Sequence, residues 1–235
     1  MIQAGAADEQ VALYDPQTGR PAGSAPRSVV RRDNLPHGAT AVLVRRTDGQ
    51  LFVHRRSDGK DLWPGWHDCA AGGVIRPGED PAAAAGRELA EELGVPVAVP
   101  GAAPGAVLTP LLATWYRDDE TWYRAFAYEL VWDGPVSFDD GEVAAGWWQP
   151  VRALRERLTE PGWPFVPDTR RLLELLPDWP DEGAGLQVLA GVRDGVDRAT
   201  RLAAVLALDD GADVDDPLAL LARDPGPVVR VRGVR

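Results

Sequence analysis

The sequence predicts an α/β fold, a mixed β-sheet held between helices in an α/β/α sandwich, with a helically patterned C-terminal extension. Three observations lead there. Runs rich in β-branched and aromatic residues lie on both sides of one well-capped helix. Two more helical patterns follow the last of those runs. At 235 residues the chain can form one sizeable core and still carry an appendage.

The elements follow in order. Residues 10–32 read as an early strand and loop, with Asp15-Pro16-Gln17-Thr18-Gly19 as a turn. Residues 39–45 and 50–56 are β-rich runs joined by Thr47-Asp48-Gly49, a hairpin signal. A helix then begins at Asp80, a good N-cap, with Pro81 at the first helical position and Gly94 as the stop. Ala82, Ala85, Leu89 and Leu93 form its apolar stripe. Residues 107–117 and 121–132 look like long strands around Asp118-Asp119-Glu120, and 143–149 like a short one. Residues 151–158 and 169–176 read as helices. The character changes after Pro177-Asp178-Trp179-Pro180, so we expect one domain over 1–180 and an extension over 181–235. In the extension, 196–208 is amphipathic and 217–222 adds a short helical turn. The 228–235 end is basic and valine-rich, and the 209–213 acidic run resembles a calcium loop only loosely.

Composition narrows the function classes. No apolar run approaches membrane-spanning length, and the N-terminus lacks the basic-then-apolar order of a secretory signal. A single cysteine, Cys69, cannot form an internal disulfide and fits a reducing, cytoplasmic setting. A net charge of -11 argues against a nucleic acid polymer as partner. It does not argue against a diphosphate, since bound divalent ions reverse the local sign. A homodimer paired through strands is compatible with this pattern.

The chemistry concentrates in residues 73–95. Glu88, Glu91 and Glu92 share one flank of the capped helix, because residues three and four apart are neighbours. Three carboxylates so placed repel one another, which suits a helix that grips divalent metal. Arg87 lies one turn before Glu91 and can orient it. A glycine-containing loop leads directly into this helix.

This segment resembles the Nudix box. Gly73, Glu79, Arg87, Glu88, Leu89, Glu91, Glu92, Gly94 and Val95 fill every fixed position of that pattern. The resemblance implies a Nudix-type α/β/α sandwich and hydrolysis of a small-molecule diphosphate, such as a nucleoside diphosphate derivative, with Mg²⁺ or Mn²⁺. It implies Glu88, Glu91 and Glu92 as metal ligands, with Glu79 supporting the loop and a second metal. By the same resemblance one of Glu88, Glu91 and Glu92, or a neighbouring carboxylate, helps deprotonate the attacking water, and Arg87 holds the carboxylates in place. Glu142 is a further ligand or base. Asp140 is its rival, and a plain turn role for this acidic run is a third reading.

The stretch from Leu35 to Gly73 is similar to the Nudix branch that includes isopentenyl-diphosphate isomerase and its hydrolase-like relatives. His37, Arg55, Arg56, Ser57, Lys60, Asp61, Trp63, Pro64 and Gly65 carry that likeness, and Trp163-Pro164-Phe165-Val166-Pro167-Asp168 resembles a motif near the end of that domain. An isomerase is therefore the competing enzyme class. The chain departs from it, because Ala71 stands at the cysteine position and Cys69 is displaced by two residues. A ligand sensor without catalysis is a third reading, which full retention of the box carboxylates disfavours. For substrate contacts we expect Arg55, Lys60, Gly73 and Trp66, with only one of Arg55 and Arg56 near the site by strand alternation. Trp63 and Trp122 share the stacking-or-core alternatives of Trp66, and His37 and His67 read as structural. Nucleoside triphosphates, nucleotide sugars, dinucleotide cofactors and prenyl diphosphates all stay open.

Overall fold

The computed structural model describes residues 9–97, 107–138 and 141–176. Its elements are β1 (Gln10–Tyr14), β2 (Pro21–Pro26), α1 (Arg27–Arg32), β3 (His37–Arg45), β4 (Gln50–Arg56), β5 (His67–Asp68) and β6 (Ala70–Ala71). Next come α2 (Pro81–Leu93), β7 (Leu108–Arg117), β8 (Trp122–Val131), β9 (Val143–Pro150), α3 (Val151–Arg157) and α4 (Pro167–Glu174).

The strands form one mixed sheet. β3 runs parallel to β8 over its whole length, while β7 pairs antiparallel with β8 and β9 with β4. Helices cover both faces. Val42 and Val44 point toward α2, where Ala84, Ala85, Leu89 and Leu93 pack with Phe52, Phe126, Tyr128 and Leu130. Leu43, Leu51 and Val53 point the other way, onto Val151 and Leu154 of α3 and Leu172 and Leu173 of α4. The odd–even split of Val42, Leu43 and Val44 is the two-residue period of a strand buried on both faces. The predicted α/β/α sandwich is therefore what forms. Burial of Leu89 and Leu93 contributes roughly 1.5–3 kcal/mol each to holding α2 on the sheet.

Two expectations need correction. The early strand and loop at 10–32 is a β1–β2 hairpin followed by a helix. β2 reads Pro-Ala-Gly-Ser-Ala-Pro, without a β-branched residue, and is a strand because β1 pairs with it. α1 spans only six residues, too few to show a periodicity. The turn between β3 and β4 forms as expected, with Gly49 at φ 90°. The two strands, however, pair only at Arg45 with Leu51 and then splay apart. The helical patterns at 196–208 and 217–222, the acidic run at 209–213 and the 228–235 end lie outside the described residues. Among the described residues no helix is long and apolar enough to cross a membrane.

Candidate active site

The splay between β3 and β4 makes the site. The chain from 67 to 74 fills the gap: β5 pairs with β4, then β6 pairs with β3. That crossing delivers Gly72 and Gly73 to the end of α2. A side chain would be crowded at either position, against backbone at Gly72 and against a movable side chain at Gly73. A Cβ on Gly72 would lie 2.1 Å from the Thr40 carbonyl oxygen, and one on Gly73 would lie 2.6 Å from the Glu88 carboxylate.

The helix itself is built as its residues dictate. Asp80 accepts hydrogen bonds from the N–H groups of Ala82 (2.9 Å) and Ala83 (3.1 Å), and Gly94 closes the helix at φ 62°. With α2 so fixed, its acidic flank faces the loop. Arg87 organises that flank. Its Nε and Nη2 donate to the two oxygens of Glu79 at 2.9 and 3.0 Å, a bidentate fork. Its Nη1 donates to Glu88 at 2.6 Å and to Glu91 at 3.2 Å, and Nη2 also reaches the Val74 carbonyl at 3.2 Å. Glu79 additionally accepts from the Arg76 backbone N–H at 2.9 Å, so it ties loop to helix.

Glu92 is the buried member of the set. One of its oxygens accepts from the Gly72 backbone N–H at 3.0 Å, and the other from Lys60 Nζ at 3.1 Å. Lys60 also pairs with Glu142, so one ammonium bridges the box helix and the start of β9. Burial raises the Glu92 carboxyl to about 8 against the pull of Lys60. Burial also raises Glu88, with Arg87 opposing. Burial pushes Glu142 up, but Lys60, a hydrogen bond with Glu92 and the charge of Arg27 together hold it low.

The structure sorts the expected residues. Glu88, Glu91, Arg87, Lys60, Gly73 and Glu142 line one cleft, and Glu92 sits behind it against Lys60 and Gly72. Glu79 lies one Arg87 away from Glu88. Asp140 lies outside the described residues. Two substrate candidates are displaced. Arg55 turns outward to pair with Asp58 at 2.6 Å, while Arg56 faces inward and pairs with Asp68 at 3.5 Å. The register shift between Arg55 and Arg56 in the β4–β9 pairing accompanies this choice. Trp66 stacks on Trp63 (centroids 5.0 Å apart), and it is Trp63 that lines the neighbouring cavity. His67 packs between Trp147 and Trp163, a structural role. Cys69 is buried in the α3–α4 face of the core, where burial pushes its thiol well up.

Sequence reading missed Arg27, Arg31, Asp68, Tyr123 and Asp168, which line a cavity beside the cleft. Only Asp168 carried a signal, at the end of the Trp163–Asp168 run.

A mixed sheet with a glycine loop feeding an arginine-anchored glutamate helix defines the Nudix domain. A model of that family, described as NUDIX domain, matches residues 35–169. The chain belongs to the Nudix hydrolase family, enzymes that act on pyrophosphate bonds. It is 46% identical over 174 residues to a Rhodococcus erythropolis protein described as uncharacterized Nudix hydrolase orf19, covering 71% of this chain and 91% of that one. It is 31% identical over 179 residues to uncharacterized Nudix hydrolase PA4841 of Pseudomonas aeruginosa, covering 76% and 99%. Among solved structures, DR0079 from Deinococcus radiodurans superposes with a TM-score of 0.58 at 25% identity, covering 71% of this chain and 98% of that one.

Proposed function

We propose that this hydrolase is metal-dependent and cleaves a diphosphate linkage in a nucleoside diphosphate derivative or a related small molecule, with Mg²⁺ or Mn²⁺. The carrying observation is the convergence of Glu88, Glu91 and Glu142 on one cleft, with Glu92 behind it, around the cations Arg87 and Lys60. The donors are all carboxylate oxygens, which suit hard divalent ions. Among the described residues no three acidic, histidine or cysteine side chains surround one point. They are instead drawn onto Arg87 and Lys60. Lys60 already bridges Glu92 and Glu142 as a cation, so positive charge is accommodated there.

A bound divalent ion supplies Lewis acidity and a water of lowered pKa. The chain's own residues do the rest. Glu142, which lines the cleft, would take the proton from the attacking water, with Glu92 behind it as the alternative. Arg87 keeps Glu88 and Glu91 in position. Arg27 and Lys60, which line the cleft, would hold phosphate oxygens.

Burial of Cys69 in an apolar cluster, with Ala71 two residues on at the cysteine position of that branch, supports hydrolysis over the isomerase-like alternative, which needs an acid near the substrate. Of the residues that carry the resemblance to that branch, His37, Arg56, Lys60, Asp61 and Trp63 line a cavity beside the cleft. We assign the catalytic unit to residues 1–180.

The test is product release from a panel of diphosphates with Mg²⁺ or Mn²⁺, with Glu92→Gln as control and isopentenyl diphosphate as a member. Phosphate or nucleotide release abolished by Glu92→Gln supports the reading. Conversion of isopentenyl diphosphate to its isomer without release would overturn it. Metal-dependent binding with no turnover would make the protein a sensor.

A further inference from the structure

The carboxylate cleft is lined by a second charged set that the box pattern does not specify. Glu9, Arg27 and Arg76 line it together with Glu88, Glu91 and Glu142. Glu9 and Arg27 precede residue 35, where the family match begins, and Arg76 falls at a box position that the pattern leaves open.

These residues belong to a row of alternating charge. Arg76 Nε lies 3.2 Å from one oxygen of Glu9, and the other oxygen lies 3.4 Å from Arg27 Nη1. Arg27 Nη2 lies 3.4 Å from Asp61, and the same Asp61 oxygen lies 3.3 Å from Arg31 Nε. Arg31 then donates to Thr121 Oγ1 at 3.3 Å. The row joins the box loop, the residue before β1, α1, the β4–β5 loop and the turn before β8. Arg27 and Arg31 reach Asp61 together because they stand one helical turn apart on α1. The Arg27 backbone N–H also donates to the Glu9 carbonyl at 2.8 Å, so the two residues are tied twice.

Arg27 is the middle of this row, and it is held differently from Arg87. Arg87 grips Glu79 and Glu88 at 2.6 to 3.0 Å, as charge-assisted bonds do. Arg27 is held at 3.4 Å on each side. Among the described residues its side-chain bonds engage two of the guanidinium's five N–H donors. It is aimed from both sides without being saturated. Burial opposes its charge, but Asp61, Glu9 and Glu142 push its pKa up, so it stays a cation in the cleft.

We propose that Glu9 and Asp61 are positioning residues that hold Arg27 where it meets the phosphate oxygens, so that the segment 9–32, ahead of the family domain, is a working part of the active site. The proposal rests on the diphosphate hydrolase reading above and deepens it. Removing either acid has two opposed effects. It unmasks positive charge, which favours an anion, and it frees a side chain that must be ordered again when substrate binds. The Glu9 and Asp61 side chains are 20% and 46% exposed, and exposed pairs contribute little. Arginine, in contrast, has among the largest rotamer entropies to lose. The ordering effect wins, and loss of either acid weakens phosphate binding.

The experiment is a double-mutant cycle between positions 9 and 27 in the full chain with Mg²⁺. The binding probe is imidodiphosphate, whose bridging N–H replaces the scissile oxygen, followed by calorimetry. Turnover is read as KM and kcat on the diphosphate panel above. Arg27→Gln should weaken imidodiphosphate binding about tenfold and Glu9→Ala about fivefold. The double variant should bind no more weakly than Arg27→Gln alone. KM should rise in step with kcat little changed, as for binding common to ground and transition states. A merely structural Glu9 would cost the same in both backgrounds, and that result overturns the proposal. Tighter binding by Glu9→Ala would also overturn it, because Glu9 would then compete for Arg27 rather than aim it. Should Glu9→Ala fail to fold, Asp61→Ala must give the same non-additive loss.

The two readings fail separately. Turnover abolished by Glu92→Gln, with binding and KM unmoved by Arg27→Gln and Glu9→Ala, would keep the hydrolase reading and remove this one. Non-additive loss of imidodiphosphate binding, with no turnover of any panel member, would do the reverse. Absence of both binding and turnover would overturn both.

Discussion

Arg87 makes its bonds in a geometry only a guanidinium supplies. It forks onto Glu79 while a third nitrogen reaches Glu88 and Glu91. A lysine keeps the charge but not the fork. Arg87→Lys should therefore lower kcat/KM about 10–100-fold, as loss of an outer-shell orienting group does, with the thermal midpoint nearly unchanged. Wild-type kinetics in that variant would show the fork to be unused. Lys60 makes a different prediction, with two opposite signs. It neutralises Glu92 and Glu142 and lines the cleft proposed for the phosphates. Lys60→Met should bind Mn²⁺ more tightly, measured by electron paramagnetic resonance, while raising the substrate KM. Weaker Mn²⁺ binding would mean that Lys60 holds the carboxylates in shape rather than competing for them. His54 predicts a pH effect. Burial lowers it to about 4, with Asp68 opposing. Between about 4 and its ordinary value of 6.5 the unfolded chain takes up a proton that the folded chain refuses. Its contribution is therefore present above that range and lost as pH falls through it. Asp168, raised to about 6 chiefly by burial, has the opposite sign: its contribution is present below 3.8 and lost as pH rises through 6. His54→Leu should thus reduce the loss of stability between pH 7 and pH 4.5 by about 2 kcal/mol in denaturant melts. An unchanged loss would show that His54 is already protonated when folded.

The glycine loop and α2 act as one element, and the two glycines separate its roles. The Cβ of Gly72→Ala would meet backbone, the Thr40 carbonyl of β3, which cannot yield without moving the sheet. That of Gly73→Ala would meet the tip of the Glu88 side chain, which can swing away. We expect Gly72→Ala to lower the thermal midpoint strongly and Gly73→Ala to spare it while weakening divalent-metal binding. Equal melting losses would contradict this division. The same element shows what a sequence can disclose. Asp80, Pro81 and Gly94 act within one turn of themselves, so the cap, the start and the stop of α2 were legible. The Arg87–Glu91 contact was legible because helical spacing alone sets it. The choice of Arg56 over Arg55 was not, since alternation says only that one faces inward and long-range pairing decides which. Nor was the splay of β3 from β4, because partners of β4 lie almost a hundred residues on, in β9. Asp168 reaches the cavity from α4 through the bridge of His67 with Phe165, a contact without local signature.

At the scale of the molecule, helices among the described residues, all of which precede 177, pack on both faces of the sheet. The last side chains of the α3–α4 face are Leu172, Leu173 and Leu176, and α4 is anchored there by bonds from Arg155 to the carbonyls of Leu173 (3.4 Å) and Leu176 (2.6 Å). Every residue assigned to the cleft and the cavity lies between Glu9 and Thr169. The family match ends at the same residue, 169. We therefore expect neither core nor site to draw on the extension. A chain ending after residue 180 should melt within a few degrees of the full protein and keep its kcat/KM, since a loss of even 1 kcal/mol would shift the midpoint by roughly 2–8 °C depending on domain size. Side-by-side melting curves and turnover of the two chains decide it. A large drop in midpoint would show that residues 181–235 complete the fold. Unchanged melting with lost turnover would place part of the site there, and the domain boundary would have to move.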